Sequence, residues 1–216
     1  MTKLQDIGCV ILGAGFSRRF GRDKRIAKLQ HSTVAAITLG TYCAAFAKVR
    51  LVLREEDDPA QFTADLEKFP HLEIIRAPLA YKGMGHSLSA GFAAIDWSWA
   101  FVALLDMPFV SQTTLVGLIA HARNSSAPLI QPRLVSALAT AVKPLERQHG
   151  HPIGIHSRLF SEVRASVGDN GARRLIQQRA EQIDYFDCDD VGVIQDIDHP
   201  SDCLLYTSPS PRDTRS

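Results

Sequence analysis

No stretch of this 216-residue chain is long and apolar enough to cross a bilayer as a helix, which takes ~20 consecutive apolar residues. The first residues, Met1-Thr2-Lys3-Leu4-Gln5-Asp6, lack the apolar run of a secretory signal. The cytoplasm is therefore the expected compartment, and no membrane partner is expected. An excess of one charge is missing too: 24 Lys and Arg stand against 23 Asp and Glu, a formal net charge of +1. A dedicated nucleic-acid binder carries a basic surplus, so that class is set aside. Cysteine is sparse. Cys9, Cys43, Cys188 and Cys203 have no C-x-x-C spacing, which leaves small buried hydrophobes rather than a zinc site or disulfide framework. Histidines are scattered, and His149 with His151 makes an H-x-H pair without a third ligand in view.

No internal repeat and no Pro-, Gly- or Ser-rich linker divides the chain, and 45% of it is hydrophobic. One domain is expected over residues 1–204. The last residues, 205–216, are low in apolar content and abruptly different in composition. They are expected to be disordered, or a cloning or sequencing artefact.

What is present is alternation. Strand-like runs at Ile7–Leu12, Val49–Leu53, Leu72–Ile75 and Phe101–Leu105 alternate with helical patterns over Thr33–Ala47, Pro59–Lys68, Gly85–Ile95 and Gln112–Asn124. This predicts an α/β fold with a mostly parallel central sheet, whose ligands gather at the carboxyl ends of the strands. Beyond Pro128 the strand candidates shorten, to Leu129–Gln131, Thr140–Val142 and Ile153–Ile155, followed by helices near Ser157–Ser166 and Ala172–Arg179. That half is read as the acceptor-binding part.

The first strand runs into Leu12-Gly13-Ala14-Gly15-Phe16-Ser17-Arg18-Arg19-Phe20-Gly21-Arg22-Asp23-Lys24. Glycines at 13 and 15 let the backbone approach a ligand and accept positive φ, so that N–H groups can converge on phosphate oxygens. The cations Arg18, Arg19, Arg22 and Lys24 follow at once. Two familiar phosphate loops do not fit. The dinucleotide pattern needs glycine where Arg18 stands, and the Walker pattern needs four residues between its glycines and then Lys, whereas five separate Gly15 from Gly21 and Arg22 follows.

The loop instead resembles the L-[AG]-[AG]-G-x-S-x-R-M-G-x-x-K segment of the nucleotidyltransferases that transfer a nucleoside monophosphate to the molybdenum cofactor, with Phe20 in place of Met. Five further segments are similar to that MobA-like NTP transferase family in the same order. Leu104-Leu105-Asp106-Met107-Pro108 resembles L-x-G-D-M-P, with Leu105 replacing glycine; Gly83-Met84-Gly85-His86-Ser87-Leu88 resembles G-M-x-x-S-L. Gly150-His151-Pro152 and Gly168-Asp169-Asn170-Gly171-Ala172-Arg173 match G-H-P and G-D-x-G-A-R. Asp196-Ile197-Asp198-His199-Pro200 is similar to D-I-D-T-P.

The resemblance implies a Rossmann-like, three-layer, GT-A-like nucleotidyltransferase fold and a cytidylyltransferase of the molybdenum cofactor. Its cofactor would be Mg²⁺ or Mn²⁺, held by Asp106 and by Asp198 ahead of Asp196. Catalysis would use Lys24, Arg19 and Asp106. The nucleotide would meet Leu12, Gly13, Ala14, Gly15, Ser17, Lys24, Gly83, Gly85 and Ser87. The acceptor, molybdopterin, would meet His151, Asp169 and Arg173, and a molybdenum hydroxylase would be the client.

Plainer readings stand beside these. Asp106 could cap a helix starting near Ser111, Asp198 could precede a helix with Pro200 in its first turn, and the 83–91 segment could be a helix of tightly packed small residues. The loop Leu12-Gly13-Ala14-Gly15 mixes the cytidylyl type, L-A-A-G, with the guanylyl type, L-A-G-G. Its third residue, Ala14, favours CTP, with GTP the alternative. A non-catalytic escort for the molybdenum cofactor is a further alternative, which the loss of glycine before Asp106 favours.

Overall fold

A computed structural model describes residues 6–16, 20–29, 31–63, 69–135 and 148–205, with the side chains of 203–205 outside that description. The N-terminal half builds β1 (Ile7–Leu12), two short strands β2 (Lys28–Leu29) and β3 (Ser32–Thr33), α1 (Val34–Ala45), β4 (Val49–Arg54), α2 (Ala60–Thr63), β5 (Leu72–Ala77) and α3 (Met84–Gly91). It continues through β6 (Trp99–Leu104), α4 (Gln112–Asn124), β7 (Leu129–Leu134), β8 (Ile153–His156), α5 (Phe160–Arg164), α6 (Arg173–Gln178), β9 (Ile183–Cys188) and α7 (Pro200–Leu205).

Seven strands form one sheet in the order β5-β4-β1-β6-β8-β7-β9. β1 pairs in parallel with both β4 and β6, and β7 in parallel with β9, while β8 is antiparallel to both its neighbours. The sheet is therefore mostly parallel with helices packed against it, the expected α/β class. From β1 the chain moves outward through β4 to β5, then returns to place β6 on the other side of β1. That reversal opens a crevice between the carboxyl ends of β1 and β6.

Two apolar cores lie against the sheet. One gathers Cys9, Ile11, Leu39, Leu51, Phe101 and Leu115; the other gathers Val10, Val52, Leu88, Phe92, Val102 and Phe160. Alternate residues of β1 serve opposite cores, as the two-residue period of a strand requires.

Some boundaries differ from those predicted. α3 stops at Gly91 rather than Ile95, because Arg50 Nη1 donates to the carbonyls of Gly91 and Ala93 and turns the chain there. The segment predicted as one helix over Ser157–Ser166 is a 3₁₀ turn followed by α5. β9 is absent from the sequence reading, since Asp184 and Asp187 interrupt its apolar pattern. Of the helix expected over Pro59–Lys68, Ala60–Thr63 is helical, and 64–68 lie outside the described residues. The strand expected at Thr140–Val142 lies outside them as well, as does the tail beyond Leu205, which itself ends α7. Cys9 and Cys43 are buried free thiols and Cys188 is a half-buried one.

Candidate nucleotide site

The loop after β1 and the turn after β6 open into one cleft of about 540 Å³ at the predicted edge of the sheet. Leu12, Ala14, Gly15, Phe16, Phe20 and Lys24 line one side; Ala80, Tyr81, Gly83, Met84 and Ser87 line another, and Asp106, Asp169, Asp196 and Asp198 add carboxylates. Ser17 and Arg19, with Arg18, lie outside the described residues.

Lys24 is the centre of this arrangement. Its Nζ lies 2.6 Å from Asp106 Oδ2, 3.1 Å from Asp198 Oδ1 and 2.8 Å from the Ile197 carbonyl oxygen. Burial works against its charge, but the two carboxylates outweigh that and raise its pKa above the ordinary lysine value. Three oxygens thus converge on a cation, here an ammonium. An oxygen-only donor set with two carboxylates suits a hard divalent ion that keeps several waters. Among the described residues, no group of three or more His, Cys, Asp or Glu side chains could hold a metal by itself, so waters or the oxygens of a ligand would have to complete the shell. Four carboxylates face one ammonium among the described lining residues, and a polyphosphate needs a further cation to enter such a cleft.

The C-terminal segment reaches this site through one backbone bond. Ile197 N–H donates to the Asp106 carbonyl at 2.9 Å, and the Ile197 side chain is fully buried with Phe20, Leu29 and Val34. With Ile197 turned inward, its neighbours Asp196 and Asp198 both line the cleft. A helix does start at Pro200, and Asp202 Oδ2 accepts from the N–H groups of Asp198 and His199, so a helix start and a cleft carboxylate coexist. Asp106, by contrast, caps nothing. The helix α4 is capped by Ser111 Oγ, which accepts from Thr114 N, while Asp190 accepts from Ser111 N and Thr114 Oγ1.

The glycines act differently from the expectation. Neither Gly13 nor Gly15 has positive φ. Gly13 is needed for space, because a Cβ there would sit 2.8 Å from Leu105 Cδ2 and 3.2 Å from Leu51 Cδ1. Leu105 is buried in the core on that side and does not line the cleft. Leucine at 105 and glycine at 13 therefore compensate one another in volume. At Gly15 a Cβ would meet nothing within 4 Å, which leaves its backbone open.

Gly83 does need its freedom: φ is 123°, and a Cβ would run into Gly168 and Asp169. Gly85 N–H donates to the Gly168 carbonyl at 2.7 Å, so the 167–171 loop is seated on the start of α3. That seating carries Asp169 to the side of the cleft formed by Gly83 and Ser87. Gly85 packs beneath, where it does not line the cleft.

The three residues assigned to the acceptor are not brought together. Asp169 is beside Gly83; Arg173 is exposed at the start of α6, in the turn that follows Gly171 (φ 49°), and is absent from the cleft lining. His151 lies below the carboxylates, its Nδ1 3.4 Å from the Val102 carbonyl, after a backbone bond from its N–H to Val193 O. Burial lowers its pKa despite the opposing pull of Asp106 and Asp196. Sequence reasoning also missed the exposed apolar rim of Phe16, Tyr81 and Met84, which no spacing signals.

Comparison with known proteins gives the family and the fold. The profile of the MobA-like NTP transferase domain matches residues 9–183. The purine catabolism protein PucB of Bacillus subtilis is 29% identical over 206 residues, covering 89% of this chain and 92% of PucB. The crystal structure of Rv0371c from Mycobacterium tuberculosis H37Rv superposes with a TM-score of 0.76 at 22% identity, covering 96% of this chain and 99% of that one. A manganese complex of Rv0371c gives 0.70 at 20% identity, covering 94% and 98%. A CMP:2-keto-3-deoxy-manno-octonic acid synthetase complexed with CTP gives 0.69 at 13%, covering 93% and 95%.

Proposed function

Because the chain belongs to the MobA-like NTP transferase domain family, we propose that it transfers CMP from CTP to the phosphate of molybdopterin cofactor and releases pyrophosphate. The observation that carries the reading is the shared cleft, in which Lys24 joins the glycine-rich loop to Asp106 and Asp198. In the reaction an oxygen of the acceptor phosphate forms a bond to the α-phosphorus of CTP, and the bond from that phosphorus to the bridging oxygen of the β-phosphate breaks. The attacking phosphate is already ionised near neutral pH, so no protein base is required. Mg²⁺ or Mn²⁺ held by Asp106 and Asp198 would supply charge neutralisation across the phosphates.

The chain's own residues supply position and charge. The loop offers the backbone N–H groups of Ala14 and Gly15, since the Gly13 N–H is held by the Val52 carbonyl. Lys24 and Arg19 offset the charge that builds on pyrophosphate, and Ser87 with the Gly83 backbone orients the nucleoside. Asp196 lines the cleft, while His151 lies beneath it, near enough to Asp106 and Asp196 to feel their charge. The base assignment to CTP rests on Ala14, which occupies the third loop position as in cytidylyl relatives. The escort alternative loses its support, since the Leu105 side chain lies in the core and leaves the Asp106 carboxylate facing the cleft. A molybdenum hydroxylase would receive the product.

The test is pyrophosphate release from the protein incubated with Mg²⁺, molybdopterin and each of the four NTPs in turn. Release with CTP is expected. Release with GTP alone would move the assignment to guanylyl transfer, and background release with all four would overturn the catalytic reading.

A further inference from the structure

Arg25 follows the loop lysine and gives no hint of burial in the sequence, yet it is 3% exposed. Its guanidinium is fully engaged. Nη1 donates to the Gly13 carbonyl oxygen and to Asp57 Oδ2, both at 2.6 Å; Nη2 donates to Asp23 Oδ2 at 2.6 Å and Asp57 Oδ1 at 2.7 Å; Nε donates to Asp23 Oδ1 at 2.9 Å. Arg54 closes the ring, with Nη2 at 2.8 Å from Asp57 Oδ1 and 3.4 Å from Asp23 Oδ2. Two cations and two anions cancel, so these four groups add no net charge beside the cleft.

A buried ion cluster is a poor way to gain stability, because apolar side chains of similar volume often do as well. Its geometry offers another reason. The Gly13 carbonyl is the contact of Arg25 that lies outside the charge pairing, and it belongs to the phosphate-loop backbone. In a trans peptide the C=O and the following N–H point in opposite directions. Holding the Gly13 oxygen on the buried guanidinium therefore turns the Ala14 N–H the other way, toward the cleft that Ala14 lines. That N–H makes no hydrogen bond among the described residues. The same cluster reaches the loop a second time, where the Arg54 guanidinium lies 5.1 Å from the centroid of the Phe16 ring. Phe62 closes the far side, 4.6 Å from Arg25 Cζ.

We propose that the Arg25–Asp57–Arg54–Asp23 cluster is a positioning device that fixes the Gly13 carbonyl and so aims the Ala14 N–H at a phosphate oxygen of the bound polyphosphate. The cluster touches the loop and not the ligand. The proposal takes its ligand, a polyphosphate, from the nucleotidyltransferase reading above.

The probe is inorganic pyrophosphate with Mg²⁺, titrated into the full chain while the Ala14 amide is followed by NMR and affinity by calorimetry. The Ala14 amide is expected to shift with saturation. Arg25→Lys, which keeps a charge but cannot bridge Gly13, Asp23 and Asp57 together, is expected to bind pyrophosphate about tenfold more weakly, as the loss of one charge-assisted bond implies. Arg50→Lys, which perturbs an ion pair with Glu73 away from the loop, is expected to bind as the native chain does. Unchanged pyrophosphate affinity in a folded Arg25→Lys, or a bound pyrophosphate that leaves the Ala14 amide unmoved, overturns the proposal while the enzymatic reading stands. The amide readout uses the native chain, so it decides the point even where Arg25→Lys does not fold. A native chain that binds neither pyrophosphate nor CTP overturns both.

Discussion

At the scale of single residues, the proposed chemistry concentrates on Lys24, Asp106 and Asp198, with the Lys24 ammonium within 3.1 Å of both carboxylates although the three come from separate segments. Asp106 sits on the last turn of a buried strand run, and its role is tested by Asp106→Asn, which keeps the shape and removes the charge. Turnover, read as pyrophosphate release, is expected to fall at least ~100-fold, since a carboxylate that holds a catalytic ion stabilises the transition state by a few kcal/mol. Turnover within a few-fold of native would remove Asp106 from the mechanism. Asp106 was legible in the sequence because a strand pattern ends on it and proline follows. Arg25 was not, because a lone arginine after a lysine reads as solvated, and only the carboxylates of Asp23 and Asp57 make its burial tolerable.

At the scale of elements, periodicity gave β1 and α4 their observed bounds, because each has a clear apolar repeat and a clear stop. β9 stayed hidden, as an edge strand tolerates a carboxylate on each face, and Asp184 on one and Asp187 on the other break the apolar alternation of both. The junction of β1 with β6 supplies a prediction. Gly13 and Leu105 share one volume, so Gly13→Ala is expected to cost about 1–3 kcal/mol in urea unfolding. In a Leu105→Ala background the same change is expected to cost at least ~0.5 kcal/mol less. Strictly additive costs would show that the two strands' ends do not compete for that space. Gly13, where the loop pattern admits alanine or glycine, and Leu105, where the second segment has glycine, therefore answer one packing constraint that sequence comparison registers as two separate positions.

At the scale of the whole molecule, the Arg25 cluster ties the loop, the end of β4 and the following turn together, and it has a pH signature. Burial pushes the Asp57 carboxyl up, but Arg25 and Arg54 outweigh it and hold its pKa at about 2, against an ordinary value of 3.8. A depressed folded-state pKa stabilises above the unfolded value, and that contribution is lost as pH falls from near 4 toward 2. Its size is about 2 kcal/mol at most. Thermal midpoints of the native chain and Asp57→Asn are expected to differ clearly at pH 5, to draw together as pH falls through 3, and to converge only below pH 2. A difference that stays constant across that range would show that Asp57 is not held ionised by the cluster.

The order of apolar runs determined the class of fold, and the family-like segments named the candidate site residues, because periodicity, turn chemistry and short motifs are each written over a few residues. What only the tertiary structure decided is which distant groups share a space. It brought residues 196–198 back onto Asp106 through one backbone bond, seated Asp169 against Gly83, and left Arg173 in solvent. It also replaced positive φ by side-chain volume as the reason for Gly13. The physical cause is the same in each case: burial and packing are settled between segments far apart in the chain, and no local pattern carries that information.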